Sequence, residues 1–285
     1  MSTAGTAAER LVRSALEEDL GAGDVTTAST VPAGVKGRAR VVAKATGVIA
    51  GLDMAREVYR QTDPEIVFEA RLADGTAVEP GDLVATARGS FARLLEGERT
   101  ALNFLQHLSG VATITRRYVD AISGTGAHIV DTRKTTPGWR SLEKAAVKAG
   151  GGTNHRRGLF DAFLVKENHI AAAGGIAMAL SAVARGNPAG LPVQIEVCSL
   201  DELEVVLDHP HPPDRILLDN LAPPELAQAV GRVRARRPGI LLEASGNVAL
   251  DTVRAIAGTG VDWISVGALT HSAPALDLSC LIERT

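Results

Sequence analysis

The chain has 285 residues, is 45% hydrophobic and carries a formal net charge of −3. That length supports one or two domains with substantial cores, and the slight acidity gives no reason to expect nucleic acid or an acidic membrane as a partner. Its two cysteines, Cys198 and Cys280, lie far apart without a Cys-x-x-Cys, which argues against a disulfide framework or zinc cluster and suits a reducing cytoplasm.

The opening MSTAGTAAER shows no basic stretch before an apolar one, and no run approaches about 18 apolar residues, so neither a leader peptide nor a membrane span is expected. Ala8, Leu11, Val12, Ala15 and Leu16 fall on one helical face. Between Arg38 and Lys44 the chain alternates, with Ala39, Val41 and Ala43 on one side, as a half-buried strand does. Ile66–Leu72 and Thr76–Val78 flank Asp74-Gly75, a strong hairpin signal, and Pro80-Gly81-Asp82 makes a further turn. Residues 92–122 read as helical, with Leu95, Leu102, Leu105 and Leu108 inward and a break near Gly110.

After residue 125 the rhythm changes. Short apolar runs at His128–Val130, Ala162–Val165, Val193–Val197, Arg215–Leu218, Ile240–Glu243 and Trp263–Val266 alternate with amphipathic segments. Ser199-Leu200-Asp201-Glu202 reads as a capping box and Pro223-Pro224-Glu225 as a first helical turn. Repeated strand–helix units imply a parallel sheet with right-handed crossovers, either an incomplete barrel or an open sheet. The expected organisation is an N-terminal domain over 1–110, an α/β domain over 111–271, and a segment 272–285 that returns to the first.

In such folds sites gather at the carboxyl ends of the strands. Reading past each run gives Asp131, Arg133 and Lys134, then Lys166, Glu196, Asp219-Asn220, Glu243 with Ser245-Gly246-Asn247, and Gly267. Cations crowd the stretch 131–170, which also holds His155, Arg156 and Arg157. Lys144 and Lys148 fit a solvated helix face equally well, but Arg133, Lys134 and Lys166 leave strand ends, where cations need anionic partners. Guanidinium forks match carboxylates and phosphates, so a substrate with several negative charges is expected. Glu196 and Asp219 either neutralise these cations or hold Mg²⁺ against substrate phosphates. Ser245-Gly246-Asn247 and Gly267 suit a phosphate, because glycine permits close backbone approach. There is no P-loop, dinucleotide fingerprint or nucleophile elbow, and Gly150-Gly151-Gly152 reads as a mobile loop.

Taken in order, Glu18-Asp19-Leu20-Gly21-x-Gly23-Asp24, GERTALNFLQHLSG (97–110), DTRKTTPGWR (131–140), GGGTNHRRGLFDAFLVKENH (150–169), LLDN (217–220), EASGN (243–247) and GVDWISVGALTHS (260–272) span nearly the whole chain. This ordered set resembles the quinolinate phosphoribosyltransferase family. The resemblance implies an N-terminal α/β sandwich domain followed by an open α/β barrel of six or seven strands. It also implies a dimer, or an assembly of dimers, whose sites are completed by the neighbour. The implied reaction joins quinolinate and phosphoribosyl pyrophosphate to give nicotinate mononucleotide, pyrophosphate and carbon dioxide with Mg²⁺, in NAD biosynthesis.

Carried over position by position, Arg133, His155, Arg156 and Lys166 would grip the quinolinate carboxylates, with Arg99 reaching them from the partner subunit. Lys134, Glu196 and Asp219 would handle the pyrophosphate and its metal, and Ser245, Gly246, Asn247 and Gly267 the ribose 5-phosphate. Gln194 stands where the family often has an acid, and Asn247 where it often has a second glycine. Two rival readings are a related transferase for another anionic base and a non-catalytic binder of phosphorylated metabolites. The complete cation set and the retained acids speak against both.

Overall fold

The computed structural model describes residues 6–285; residues 1–5, part of the opening read above for a leader, lie outside the described residues. Helix α1 (Ala7–Leu20) starts on a reciprocal cap, in which Thr6 Oγ1 accepts the Glu9 N–H and the Glu9 carboxylate accepts the Thr6 N–H. It buries Val12 and Leu16. Helix α2 (Val25–Thr30) starts on Asp24, whose carboxylate accepts the N–H groups of Thr26 and Thr27. Strand β1 (Lys36–Ala43) buries Ala39, Val41 and Ala43 on one face, as its alternation predicts. Then come β2 (Gly47–Val48), α3 (Leu52–Thr62), β3 (Val67–Ala70), β4 (Ala77–Val78), β5 (Leu83–Ser90) and the long helix α4 (Phe91–Ala121).

Two expectations are corrected in this half. Asp74-Gly75 does not close a hairpin between β3 and β4: β3 pairs with β5, and β4 with β2. The Asp74 carboxylate instead accepts the N–H groups of Gly51 (3.0 Å) and Leu52 (3.2 Å), capping α3 from outside where Gly51 has no side chain to do so. Helix α4 also has no break at Gly110. A Cβ there would sit 2.2 Å from the Pro274 carbonyl oxygen, so this glycine serves close approach of two backbones. Leu94 rather than Leu95 is fully buried, beside Leu102, Leu105 and Leu108.

The second half alternates strand and helix. In order it contains β6 (His128–Val130), α5 (Arg140–Ala149), β7 (Phe163–Val165), α6 (Glu167–Ala173), α7 (Ile176–Gly186) and β8 (Val193–Val197). These are followed by α8 (Leu200–Asp208), β9 (Arg215–Asp219), α9 (Pro223–Arg236), β10 (Leu241–Ser245), α10 (Val253–Ala257), β11 (Trp263–Ser265), α11 (Ala268–His271) and β12 (Leu278–Arg284). Ser199 caps α8 through the Glu202 N–H, but the Glu202 carboxylate accepts from Cys198 N–H, one residue before the reciprocal position. Among the described residues no single helix is long and apolar enough to cross a membrane.

The chain forms two compact units. One runs to Arg116 and includes Thr136–Gly151 and Ser272–Thr285; the other is Arg117–Thr135 with Gly152–His271. By compactness the first unit extends six residues beyond 110. The boundary falls inside the unbroken helix α4, and the segment carrying α5 groups with the first unit. The first unit holds an antiparallel sheet in the order β12-β1-β5-β3, with Gly37 to Ala43 of β1 matched to Arg284 to Leu278 of β12.

The second unit holds a six-stranded parallel sheet in the order β6-β11-β10-β9-β8-β7. Strands β6 and β7, neighbours in sequence, stand at its two edges, so this is an open, barrel-like sheet. Its strands are short apolar runs, with Ile195, Val197, Ile216, Leu218, Leu242 and Ile264 buried. The segment after the triple glycine is tied down rather than loose. Thr153 N–H donates to Ile129 O, Asp131 N–H donates to Thr153 O, and the buried Asp131 carboxylate accepts from Asn154 Nδ2 and from His155 N–H.

Candidate active site

Parallel strands bring their carboxyl ends to one rim, and here the rim surrounds a cavity of about 760 Å³ in the second unit. Arg133 and Lys134 reach it just after β6, His155 and Arg156 from the anchored segment before β7, and Lys166 from the end of β7. Glu196 comes from β8, Asp219 ends β9, Ser245 ends β10 with Gly246 and Asn247 after it, and Gly267 follows β11. The structure thus gathers every predicted site residue of this unit into one cavity. Arg99 lies in the first unit, exposed on α4. So do Lys144, which is buried, and Lys148, which is exposed.

The cavity lining is strongly charged and mixed in sign, with Arg133, Lys134, Arg156 and Lys166 beside Glu167, Glu196, Asp219 and Glu243. Burial, with the neighbouring Arg133 charge, pulls the Arg156 guanidinium below its ordinary value. Arg156 Nε is buried without a hydrogen-bond partner, while one terminal nitrogen donates to Ala162 O at 3.1 Å. Glu196, 8% exposed, places a carboxylate oxygen 3.2 Å from Lys166 Nζ. Asp219 stands on the adjacent strand, its carboxylate accepting from Asn220 Nδ2 at 2.7 Å.

The turn after β10 passes through the left-handed region. Gly246 has φ +95°, and a Cβ there would lie 2.0 Å from Asn220 Oδ1. Asn247 (φ 48°) and Asn220 (φ 56°) are the two described non-glycine residues with positive φ, and Asn247 Nδ2 donates to Asn220 Oδ1 at 3.2 Å. Asparagine enters the left-handed region more readily than other side chains. Asn247 therefore adopts the conformation a glycine would have supplied. After β6, Lys134 is braced by its own backbone, its N–H donating to Thr132 Oγ1 and its carbonyl accepting from Thr270 Oγ1.

His155 lines the cavity with both ring nitrogens in contact with protein groups. Nδ1 accepts the Arg156 N–H at 2.7 Å, and Nε2 lies 2.8 Å from Gln194 Oε1 and 3.4 Å from Glu243 Oε2.

Sequence reasoning passed over two features. Cys198 follows Glu196 by two residues, the same-face spacing of a strand, and its thiol lies with the Glu196 and Asp219 carboxylates in a cluster whose ligand atoms fall within 4.8 Å of one another. Burial, together with Glu202, Asp219, Glu196 and Glu167, pushes that thiol up from its ordinary value. The second feature is a polar layer inside the barrel. Gln194 Nε2 donates to Glu243 at 2.9 Å, and the Arg215 guanidinium lies 3.4 Å over the Trp263 ring and 3.5 Å from Glu243. Alone, burial would raise the Glu243 carboxyl. Hydrogen bonds from His155, Gln194 and Ser265 hold it below its ordinary value. Alternation within β8 and β10 was the available signal, but which buried polar groups meet depends on the sheet order.

The model of the quinolinate phosphoribosyl transferase C-terminal domain matches residues 111–280, and that of the N-terminal domain matches residues 24–109. The chain is 45% identical over 277 residues to the carboxylating nicotinate-nucleotide pyrophosphorylase of Mycobacterium leprae, covering 95% of this chain and 96% of that one. It is 40% identical over 292 residues to a mitochondrial decarboxylating quinolinate phosphoribosyltransferase of Nicotiana tabacum, covering 96% and 82%. The solved nicotinate-nucleotide pyrophosphorylase of Francisella tularensis superposes with a TM-score of 0.91 at 40% identity, covering 97% of this chain and 96% of that one. With both family domains matched in order over residues 24–109 and 111–280 and the rim residues assembled around one cavity, the chain belongs to the quinolinate phosphoribosyl transferase family.

Proposed function

We propose that this chain transfers the phosphoribosyl group of phosphoribosyl pyrophosphate to the ring nitrogen of quinolinate and releases pyrophosphate and carbon dioxide. The observation that carries this reading is the meeting of Arg133, Arg156 and Lys166 with the Glu196 and Asp219 pair in one cavity beside the left-handed Gly246-Asn247 turn. A dicarboxylate, a pyrophosphate and a ribose phosphate each find a charge-matched wall there.

In this reading Arg133, Arg156 and Lys166 hold the quinolinate carboxylates, while Ser245, Gly246, Asn247 and Gly267 hold the 5-phosphate. As the bond from the anomeric carbon to pyrophosphate breaks, positive charge grows on the ribose, and Glu196 and Asp219 favour it. Lys134 stabilises the departing pyrophosphate. The ring nitrogen forms the new bond to that carbon and becomes positive. Its charge stabilises the electron pair left on the adjacent ring carbon when the carboxylate there departs as carbon dioxide, and that carbon uses the pair to take up a proton, so the nitrogen stays positive in the product. Positioning two polyanions supplies much of the rate, and no covalent enzyme intermediate is required.

The hard oxygen donors of Glu196 and Asp219 suit Mg²⁺, directly or through its waters; when bound it supplies neutralising charge for the pyrophosphate. We further assign a homodimer in which Arg99, exposed on α4, completes the partner's site. The cytoplasm, where the free thiols of Cys198 and Cys280 stay reduced, is the assigned compartment. The test is incubation with quinolinate, phosphoribosyl pyrophosphate and Mg²⁺. Nicotinate mononucleotide and carbon dioxide should form together, and nicotinate in place of quinolinate should give little product. Equal turnover of nicotinate would overturn the assignment.

A further inference from the structure

The buried polar groups of the barrel form a line whose donors and acceptors are fixed one after another. Glu243, 1% exposed and ionised, can only accept. The Gln194 amide therefore turns its NH₂ to Glu243 (2.9 Å), which leaves Oε1 facing His155 Nε2 at 2.8 Å. An amide oxygen can only accept, so His155 Nε2 carries the ring proton. Nδ1 then keeps its lone pair and takes the Arg156 N–H at 2.7 Å. The Arg215 guanidinium, stacked on Trp263, balances the Glu243 charge at the other end. Asp131 holds the same segment from its other side through the His155 N–H.

From this chain of constraints we infer that Glu243 and Gln194 are positioning residues, which lock His155 as a neutral Nε2–H imidazole and thereby aim the Arg156 guanidinium at the dicarboxylate substrate. This rests on the reaction proposed above but adds residues to which that reading gives no role. It also accounts for Gln194. An acid at this place would set a second carboxylate against Glu243, which calls for one more proton on the acid pair or on His155. The amide supplies one donor and one acceptor in the required directions. His155 then contributes shape, and the positive charge on the substrate side comes from Arg133, Arg156 and Lys166.

The deciding measurement is the ¹⁵N spectrum of the histidine rings in the full-length protein without substrate, with His155 assigned by comparison with His155→Gln. The expected spectrum has protonated Nε2 and bare Nδ1 at neutral pH. An Nδ1–H tautomer or an imidazolium in the wild-type protein would overturn the inference. In Gln194→Leu the two tautomers should mix. The KM for quinolinate should rise about tenfold, the effect of losing one charge-assisted hydrogen bond, with the KM for phosphoribosyl pyrophosphate and kcat within about twofold. A folded Gln194→Leu protein with an unchanged ring spectrum and unchanged KM would also sink it. If that variant does not fold, the wild-type spectrum still decides. Failure of the wild-type protein to turn over quinolinate would count against the proposed reaction alone, since the ring spectrum is read without substrate.

Discussion

Lys166 Nζ lies 3.2 Å from a Glu196 carboxylate oxygen, the cation from the end of β7 and the acid from the neighbouring β8. The lysine side chain is 50% exposed and the glutamate 9%. A pair with one half-exposed member adds little to stability, under about 1 kcal/mol. Its value lies in presenting a cation and an anion on one wall. Lys166→Ala should therefore leave the melting temperature nearly unchanged and lower kcat/KM for quinolinate about a hundredfold, as loss of a preorganised charge does. Arg133→Ala and Lys134→Ala should fold and lose at least about the same factor in turnover. Near-normal rates in a folded variant would remove that residue from the site.

The proposed sharing of each site between subunits is testable by mixing. Arg99→Ala and Lys166→Ala proteins, each nearly inactive, should regain about a quarter of wild-type activity when equal amounts exchange subunits, because half of the dimers are hybrids with one intact site. Confirmed hybrids without recovery would place Arg99 outside the partner's site.

Two glycines separate close packing from helix breaking. Gly110→Ala should destabilise by about 1–3 kcal/mol, since the new Cβ would fall 2.2 Å from the Pro274 carbonyl oxygen. Were Gly110 merely a weak point in α4, alanine would stabilise the helix by about 1 kcal/mol, so the sign of the melting shift decides. Gly246→Ala, forced to φ +95° and against Asn220, should act chiefly by raising the KM for phosphoribosyl pyrophosphate.

Acid stability should depend on Glu243. Its folded-state carboxyl sits below the ordinary value of about 4.3. Its contribution is therefore full above that value and is lost as pH falls through the lower folded value. Glu243→Gln should flatten the acid limb of the stability–pH curve and leave its neutral region less affected. Glu243→Ala, which strands Arg215 over Trp263, should cost about 3–5 kcal/mol at neutral pH. An unchanged acid limb in Glu243→Gln would refute the assignment.

Thiol labelling should report on the acid pair. The thiolate is the reactive form, and burial with nearby carboxylates disfavours it at Cys198. Labelling at pH 7 should run slower than for a free thiol, climb steeply above about pH 8.5, and be slowed by phosphoribosyl pyrophosphate. Cys280, which burial and the Glu98 charge push up to about 11, should stay unlabelled over the same range. Cys198→Ser should abolish the reaction, and equal labelling of that variant would place the reactive thiol elsewhere.

Much of this protein was legible from residue order alone. The apolar runs that became β6 to β11 are local features of short spacing, and a parallel sheet with helical crossovers must bring its carboxyl ends to one rim. That is why Arg133, Lys166, Glu196 and Asp219 could be named together before any coordinates. The resemblance supplied the substrates, which charge alone left as a small polyanion. What residue order left undecided were relations set by distant chain. Asp74 found the open N–H groups of α3 instead of closing a hairpin, Gly110 met Pro274, and Cys198 joined the acids across two strands. His155 shows the reason most plainly. A histidine in a basic segment reads as a ligand, but its proton is placed by Gln194 and Glu243. Period and composition report what each residue prefers, whereas donors and acceptors are assigned only when folding excludes water and each buried group must find its partner among the residues brought beside it.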